Sequence, residues 1–412
     1  MREEHIMDAL SLLDTDIIEE ADVVRNNFKR TSRHSWKWAA AAIAIAAICL
    51  VLVMHIGKQQ ALQESTSTVN GEETLPILTI AENTDGDMGF EGYMAYDISD
   101  LVNNNPWSEA AQLDTLPVYK NQLSVSKDFF IVGADLEKMR KLLDETARRL
   151  GLHTDTLQVT DDVPDEETRQ RITEKLEGDV PDGYFAPTKL IAKVDGMELT
   201  VLQEMSAIVS FEPVARTLPK QYNFTDFASY KEIMAVAKYL QNEYADFIQM
   251  ENPQINIYDG DYNIDKRQNY QIGFFDAGKD TVEGIINYNF RQVTFSCDDE
   301  GKLSQISLNQ PDLSEKTGDY PIITPEEAKA FLMKRNYITT VPYEFPGEDY
   351  IAKTELVYRT GAREQYFMPY YRFYVELPEE ERDGMKTYGV YYVPAVEEKY
   401  ISNMPLWDGS FN

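Results

Sequence analysis

Residues 36–56 constrain this chain more than any other stretch, because they form one long apolar run. From Ala39 to Met54 the only polar side chain is that of Cys49, and two tryptophans stand at the start of the run. At 1.5 Å of rise per residue, a helix over 36–56 would be about 31 Å long, which matches the hydrocarbon core of a bilayer. The run therefore predicts a transmembrane helix.

The charges on the two sides of this run differ in sign. Between Arg25 and Lys37 there are five basic residues and no acidic one, whereas acidic residues dominate after Lys58. Because basic residues next to a span stay in the cytoplasm, we expect a single-pass protein of the cell membrane with a cytoplasmic N-terminus and an extracytoplasmic C-terminal part. A cleaved signal peptide and a lipoprotein signal ending at Cys49 are the alternatives. The long segment before the run favours an uncleaved anchor.

The whole chain is strongly acidic, with 70 Asp and Glu against 39 Lys and Arg and a formal net charge of −31. That charge would repel a phosphate backbone, so nucleic acid is disfavoured as a partner. The two cysteines, Cys49 and Cys297, are too few for a disulfide framework. The part after the apolar run is still long enough to bury one or two hydrophobic cores.

Helical and strand patterns mix along the rest of the chain. A helix is expected over 135–150, because apolar residues recur there at helical spacing and a glycine follows. Asp195 and Gly196 between two alternating runs predict a β-hairpin, and 284–297 alternates as a strand does. The run beginning at Thr324 has the residues of a capped helix start.

These patterns predict an α+β fold class. It comprises an N-terminal cytoplasmic amphipathic helix, one transmembrane helix and an extracytoplasmic ectodomain of two or three modules in which antiparallel sheets pack with helices. The predicted parts are a cytoplasmic segment at 1–35, the transmembrane helix at 36–56, a flexible linker at 57–112, a first α+β module at 113–218, a second at 219–318 and a C-terminal one at 319–412.

The segment before the apolar run carries one apolar stripe. Ile6, Leu10, Leu13 and Ile17 fall on one face of a helix. So short a segment has no core of its own, so the stripe either binds a cytoplasmic partner or belongs to a solvated, fraying helix. We predict a docking helix for a cytoplasmic regulator.

Catalytic and metal-binding patterns are scarce. Of four histidines, His153 alone follows the apolar run, which leaves little material for a His-dependent triad or a multi-histidine metal site. Asp259, Asp261, Asn263 and Asp265 alternate as calcium ligands do, but the spacing of Gly and Glu in an EF-hand is missing. A polar turn is the better interpretation, and we predict no catalytic residue, no metal site and no cofactor.

Aromatic residues with polar tips are dense near the C-terminus. Tyr370, Tyr371, Tyr374 and Tyr391 are the candidates for a ligand face that stacks on a glycan or holds a peptide. Alternation along a strand would instead place half of these rings in the core.

The N-terminal residues 8–21, followed by the basic stretch and the Ala-rich run, resemble a group of single-pass membrane proteins of clostridia-like Gram-positive bacteria, some of which look like anti-sigma factors. The stretches 222–225, 310–316 and 391–395 resemble the extracytoplasmic part of that group. The resemblance implies a sigma factor as the cytoplasmic partner. The H-x-x-x-C-x-x-C zinc motif of zinc-containing anti-sigma factors is missing, since no cysteine precedes Cys49.

Taken together, the sequence favours a non-enzymatic protein that senses or binds an extracellular ligand and docks a regulator through its N-terminal helix. A membrane-anchored extracellular module that binds a peptide or a glycan is the alternative. An extracytoplasmic hydrolase is a third, weaker hypothesis.

Overall fold

Alternating apolar and polar residues form strands through most of the described chain. The computed structural model describes residues 75–81, 92–122 and 135–409, apart from 177, 179, 181–183, 212, 226, 264, 362 and 363. In chain order the strands are β1 Tyr93–Ala95, β2 Thr115–Lys120, β3 Val159–Asp161, β4 Lys189–Val194, β5 Met197–Leu202, β6 Ser206–Phe211, β7 Pro253–Tyr262, β8 Gln268–Asp276, β9 Val293–Cys297, β10 Leu303–Asn309, β11 Lys316–Pro321, β12 Ile338–Thr339, β13 Ile351–Tyr358, β14 Tyr366–Phe367, β15 Pro369–Glu376 and β16 Lys386–Pro394.

Six α-helices lie between these strands in the described residues. They are α1 Leu136–Arg149, α2 Glu166–Lys175, α3 Tyr230–Glu243, α4 Ala245–Ile248, α5 Thr281–Phe290 and α6 Pro325–Met333. The predicted helix over 135–150 is α1, which Asp135 caps by accepting a hydrogen bond from the backbone N–H of Lys138. The predicted capping box at Thr324 is also confirmed, at the start of α6.

The strands form three antiparallel sheets. The largest has eight strands in the order β3-β4-β5-β6-β10-β9-β8-β7. A five-stranded sheet has the order β1-β16-β15-β13, with β12 also paired to β16, and a three-stranded sheet has the order β11-β2-β14. The hairpin predicted at Asp195 and Gly196 joins β4 to β5, whose Val194 and Met197 are paired.

The main core lies between the eight-stranded sheet and the helices α1 and α3. Helix α1 buries one face that includes Met139, Leu142 and Leu143, and α3 buries Val236 and Leu240. These side chains pack in one cluster with the inward residues of the sheet. The repeat of 3.6 residues in the helices and of two in the strands explains why each element has a single buried stripe there.

A second core lies under the five-stranded sheet. Phe373, Tyr391 and Val393 from this sheet pack against Phe290 of α5 and Leu332 of α6. Residues 284–297, which we predicted to be a strand, divide into most of α5 and the strand β9. Asp280 caps α5 by accepting a hydrogen bond from the N–H of Glu283, so a helix start overrides the alternation in the sequence.

Residues near the beginning and the end of the described chain pair with each other. Strand β1 pairs with β16, with Tyr93 opposite Tyr388. Leu78 forms a parallel bridge with Ile401, and its N–H donates to the carbonyl of Tyr400 at 2.8 Å. In each contact the residue nearer the N-terminus, Tyr93 or Leu78, belongs to the range 57–112 that we predicted to be a flexible linker.

The predicted fold class needs correction. The described residues form mostly antiparallel sheets with few helices, and none of those helices is both long and apolar enough to cross a bilayer. The longest, α1 and α3, have 14 residues each, about 21 Å, where a span needs about 20 residues. The range 36–56 lies outside the described residues. On this finding we withdraw the transmembrane helix from the fold class, and with it the single-pass topology and the location in the cell membrane.

Residues Leu75–Asn412 group as one compact unit. Within it the eight-stranded sheet takes strands from β3 through β10, on both sides of the predicted module limit at residue 218. The module limits at 113–218, 219–318 and 319–412 stay predictions.

Candidate functional site

A cavity of about 500 Å³ lies where residues of the five-stranded sheet, the eight-stranded sheet and helix α5 meet. Its walls are mainly amides, hydroxyls and aromatic rings, with two guanidinium groups and one carboxyl group. The lining residues that carry the argument below are Asn103, Asn256, Tyr258, Asp259, Tyr288, Gln292, Thr294, Arg359, Thr360, Arg372, Tyr374 and Tyr392.

The five-stranded sheet supplies one wall through the alternate residues of β15. Arg372 and Tyr374 line the cavity, whereas Tyr371 and Phe373 point to the opposite face and belong to the second core. In the neighbouring strands Glu355 of β13 and Tyr392 of β16 are paired with Arg372. Paired residues share a face of a sheet, so all three lie on the cavity side.

A buried ion cluster fixes Arg372 in this wall. Nε of Arg372 donates to Oε2 of Glu355 at 3.0 Å, and Nη2 contacts the same oxygen. Nζ of Lys353 lies 2.7 Å from Oε1 of Glu355. Burial alone would raise the pKa of Glu355, but the charges of Arg372 and Lys353 outweigh it and hold that pKa below its ordinary value. Glu355 is therefore a buried carboxylate between two cations.

Arg359 is the second guanidinium of the cavity, and its surroundings are aromatic. Its guanidinium carbon lies 5.6 Å from the ring centre of Tyr370 and 5.5 Å from that of Tyr392. Nη2 lies 3.2 Å from Oε1 of Glu364. Burial raises the pKa of Glu364, although the charge of Arg359 acts in the opposite direction. The buried Nη1 has no hydrogen-bond partner of acceptable geometry among the described residues, and neither has the hydroxyl of the neighbouring Tyr370.

The eight-stranded sheet supplies the facing wall through a row across β7, β8 and β9. Asn256, Gly273 and Thr294 are in register in this row. Gly273 leaves room for its neighbours, since a Cβ atom there would lie 2.8 Å from Oε1 of Gln292 and 3.4 Å from the ring of Tyr258. The small residue therefore allows Gln292 and Tyr258 to reach the cavity together.

Asp259 enters the cavity because β7 is irregular at this point. Ile257 belongs to the main core and Tyr258 to the cavity wall, so regular alternation would put Asp259 on the core side. Instead Asp259 has a φ of 68°, and the register with β8 shifts between Asp259 and Tyr262. A bulge and a left-handed residue of this kind re-aim a side chain, and they recur at functional sites.

The backbone around Asp259 has no freedom to relax. Gly260 follows with a φ of 93°, and a Cβ atom on it would lie 2.1 Å from the carbonyl oxygen of Asp100. The N–H of Val102 donates to the carbonyl of Asp259 at 3.1 Å. The segment around residue 100 therefore holds the irregular turn of β7 in place.

The pKa of Asp259 is raised to about 6. Burial is the largest cause and the charge of Asp261 adds to it, whereas a hydrogen bond with Gln271 and the charge of Arg372 act in the opposite direction. Asp259 is thus a carboxyl group that titrates near neutral pH inside the cavity.

Amide side chains connect the walls and cover the free edge of β13. Nδ2 of Asn103 donates to the hydroxyl of Tyr374 at 2.9 Å. Nδ2 of Asn105 donates to the carbonyl of Leu356 at 3.1 Å, and the N–H of Tyr358 donates to Oδ1 of Asn289 at 2.9 Å. These bonds position the cavity walls before any ligand arrives.

The predicted tyrosines do not form one exposed ligand face. Tyr370, Tyr371, Tyr374 and Tyr391 are at most 4% exposed. Tyr371 and Tyr391 lie in the second core, and their hydroxyls donate to the carbonyls of Ile323 and Tyr343. Tyr370 and Tyr374 share the opposite face of β15, and Tyr374 lines the cavity. The strong preference of aromatic rings for burial, on both faces of this sheet, is the reason for the correction.

The other predicted site residues lie apart from the cavity or outside the described residues. Oδ1 of Asn263 accepts hydrogen bonds from the N–H groups of Asp265 and Arg267, so it closes a turn. In the described part of the chain no three His, Cys, Asp or Glu residues are grouped so that they could hold a metal ion. Ile6, Leu10, Leu13 and Ile17 fall outside the described residues.

Sequence reasoning missed Arg359 and Arg372. A signal existed for Arg372, because it is a basic residue within the aromatic and apolar run 369–375, whereas Arg359 directly follows a strand that carries other charges. A charge at an inward position of a strand requires a partner or a function. The partners Glu355 and Glu364 could not be chosen from the many acidic residues of the chain without the register of the sheet.

Comparisons with known proteins leave the family open. No protein-family model matches the chain, and no curated protein matches it. Among solved structures it is similar to the crystal structure of an uncharacterized protein from Eubacterium rectale ATCC 33656, with a TM-score of 0.29 and 14% sequence identity over 69% of this chain and 84% of that one.

Proposed function

We propose that the described part of the chain is a non-enzymatic binding domain that holds a small polar ligand, a saccharide or a short peptide, in the cavity between the sheets. The observation that carries this proposal is the cavity wall itself. Amides, tyrosine hydroxyls and aromatic rings converge there from three parts of the fold, and the volume of about 500 Å³ is within the usual range of ligand pockets.

The arrangement of the walls supports binding by a preformed site. Asn103 is bonded to Tyr374, and the backbone N–H of Asn104 donates to Oδ1 of Asn256 at 3.1 Å, so the short segment 103–104 links both sheets at the cavity. A ligand that meets fixed donors and acceptors loses less free energy to the ordering of side chains. Rings with hydroxyl groups suit sugars and peptides, since they offer an apolar face and a polar edge.

Blocking the cavity tests the proposal. Thr360 lines the cavity and is exposed, so Thr360→Trp should fill its mouth without disturbing a core. Ala352→Trp is the matched control, because Ala352 is exposed on β13 and lies outside the cavity.

The measurement is the thermal unfolding temperature in the presence of neutral and acidic disaccharides and N-acetylated dipeptides. A ligand at 100 times its Kd adds about 2.7 kcal/mol to the free energy of unfolding, which is readily detected. We expect at least one probe to raise the unfolding temperature of the wild type and of Ala352→Trp but not of Thr360→Trp. If no probe stabilises the wild type, or if Thr360→Trp responds equally, the cavity is not a binding site for this class of ligand.

A second proposal concerns the N-terminal segment, and it is supported by the sequence pattern and the resemblance alone. The stripe Ile6, Leu10, Leu13 and Ile17 would bind a regulatory protein such as a sigma factor. A pull-down with residues 1–35 from the parent cell extract, compared with the variant Leu10→Asp with Leu13→Asp, tests it. A sigma factor that is retained equally by both forms would contradict docking through the stripe.

A further inference from the structure

Basic groups outnumber acidic ones in the lining of the cavity, although the chain as a whole is strongly acidic. Arg359 and Arg372 line it together with Asp259, and three further charged groups stand directly behind the two guanidiniums, namely Lys353, Glu355 and Glu364. Glu355 and Glu364 are engaged with the two guanidiniums. Asp259 is therefore the acidic group of the lining whose protonation changes the charge that a ligand meets.

Aromatic rings lie beside both guanidinium groups. The guanidinium carbon of Arg359 lies next to the rings of Tyr370 and Tyr392, and that of Arg372 lies 5.4 Å from the ring centre of Tyr374. Cation–π contacts of this kind favour a guanidinium over an ammonium and help to keep it in place for a bidentate contact. The planar guanidinium group can form two parallel hydrogen bonds to a carboxylate, which is the acidic group that sugars and peptides carry.

An unpaired donor points to the same ligand chemistry. Nη1 of Arg359 is buried and has no hydrogen-bond acceptor of acceptable geometry among the described residues, and the hydroxyl of Tyr370 lies beside this guanidinium. A buried donor that has no acceptor costs about 1–3 kcal/mol. An oxygen atom of a bound carboxylate would supply the missing acceptor for Arg359.

Asp259 is the acidic group that competes with such a ligand. The bulge in β7 turns it into the cavity, and the charge of Arg372 acts on it. The other acidic and phenolic groups around Asp259 are Tyr258 and Asp261 on its own strand, Tyr270 opposite it on β8, Tyr288 on α5, Tyr93 on β1 and Asp100 in the segment that covers the bulge. The tyrosines carry no charge near neutral pH, so among these groups Asp259, Asp261 and Asp100 supply the negative charge.

Resting on the proposed binding function, we propose that the cavity recognises a carboxylate group of its ligand through Arg359 and Arg372, and that Asp259 admits this group when it is protonated and repels it when it is ionised. The carboxylate belongs to an acidic sugar or to the C-terminus of a peptide. Protonation of Asp259 removes a negative charge from the cavity lining beside the two guanidiniums, so an anionic group of the ligand is repelled less.

The size of the pH effect follows from the titration of Asp259. With its pKa at about 6, Asp259 is mostly protonated at pH 5.0 and almost entirely ionised at pH 7.5. If the ligand binds only to the protonated form, its affinity falls about 30-fold between these two pH values.

The experiment measures Kd by isothermal titration at pH 5.0 and pH 7.5 with two matched pairs of probes. Digalacturonate is compared with galactobiose, and N-acetyl-alanyl-alanine is compared with its C-terminal amide. The acidic probes are ionised at both pH values, so a pH effect comes from the protein. We expect one acidic probe to bind about 30-fold more tightly at pH 5.0 and its neutral counterpart to bind weakly at both; which pair responds distinguishes a sugar acid from a peptide terminus.

Two pairs of variants assign the effect to named groups. Asp259→Asn should bind the acidic probe equally at both pH values, whereas Asp265→Asn, in the turn that follows β7, should keep the pH dependence of the wild type. Arg359→Lys should weaken binding at least 10-fold with little change in the unfolding temperature of the free protein. Arg335→Lys is its control, because Arg335 also stacks on a ring, that of Trp407 at 4.8 Å, outside the cavity.

The outcomes separate this inference from the proposed function. Equal binding of neutral and acidic probes, or a pH dependence that survives in Asp259→Asn, would overturn carboxylate recognition gated by Asp259 while the binding function stands. If only the neutral disaccharides raise the unfolding temperature, carboxylate recognition is likewise overturned and the binding function stands. If no probe of either kind binds, the binding function and this inference fail together.

Discussion

Replacing Glu355 by glutamine should destabilise the protein strongly, because the change removes the one carboxylate between two cations. Glu355 is 2% exposed; it bonds to Arg372 through Nε and Nη2, and it forms an ion pair with Nζ of Lys353. Glutamine keeps the shape of the side chain but leaves the charge of Arg372 buried and uncompensated. Breaking one side of a buried ion pair costs about 3–5 kcal/mol, and we expect a loss in that range.

The assay is urea unfolding followed by circular dichroism at pH 7.5, with the free energy of unfolding extrapolated to water. Glu137→Gln is the control, since the side chains of the pair Glu137 and Lys141 are 81% and 73% exposed and such pairs contribute less than about 1 kcal/mol. The double variant Glu355→Met with Arg372→Met should lose less than Glu355→Gln alone, because it leaves neither of these two charges unpaired. A loss below about 1 kcal/mol for Glu355→Gln would refute the assignment of Glu355 as the counter-charge of Arg372.

The same ion cluster predicts the pH dependence of stability. Because the folded protein lowers the pKa of Glu355, this group contributes stability that is fully present above its unfolded pKa and is lost as the pH falls through the folded pKa. The wild type should therefore lose stability in acid more steeply than Glu355→Gln. Parallel curves of the free energy of unfolding between pH 6 and pH 3 would contradict this reasoning.

Three further predictions concern the stability of variants at Gly260, Asp259 and Leu240. Gly260→Ala should cost at least about 2 kcal/mol in urea unfolding, since its Cβ would meet the carbonyl of Asp100, whereas Gly384→Ala, with a φ of 79° and open space, should cost only about 1 kcal/mol. Asp259→Asn should raise the free energy of unfolding at pH 7.5 by on the order of 2 kcal/mol, because a raised pKa destabilises the ionised folded protein above that pKa, and the gain should vanish below about pH 4. Leu240→Ala should cost about 2–5 kcal/mol, because the side chain is fully buried between α3 and the eight-stranded sheet; a smaller loss would mean that this core is loosely packed.

Local signals of the sequence were reliable for single elements. The helix over 135–150, the turn at Asp195 and Gly196 and the capping box at Thr324 each depend on neighbouring residues, and each is found where it was predicted. The strand predicted over 284–297 was wrong in its first half, because alternation over a short apolar run does not distinguish a strand from a buried helix.

The candidate site was beyond such signals, because its parts are distant in sequence. The cavity joins Asn103 to Tyr374 and sets Asp259 beside the charge of Arg372, and only the pairing of the strands decides these neighbours. Asp259 and Tyr374 were singled out from the sequence, but as part of a polar turn with calcium-like spacing and as part of an aromatic surface. The bulge that turns Asp259 inwards depends on the close contact of Gly260 with Asp100, which no local pattern indicates.

The pairing of β1 with β16 has a consequence for biosynthesis. Tyr93 finds its partner Tyr388 only after almost 300 further residues have left the ribosome, which takes roughly 15–60 s at ordinary rates of translation. Before β16 is made, β1 has no strand of the five-stranded sheet to pair with, and Leu78 has no Ile401 with which to form its bridge. The nascent chain must therefore keep β1 without its partner strand until β16 has been made. Shortened products that end before β16 would be left with exposed apolar segments, ready targets for chaperones and proteases.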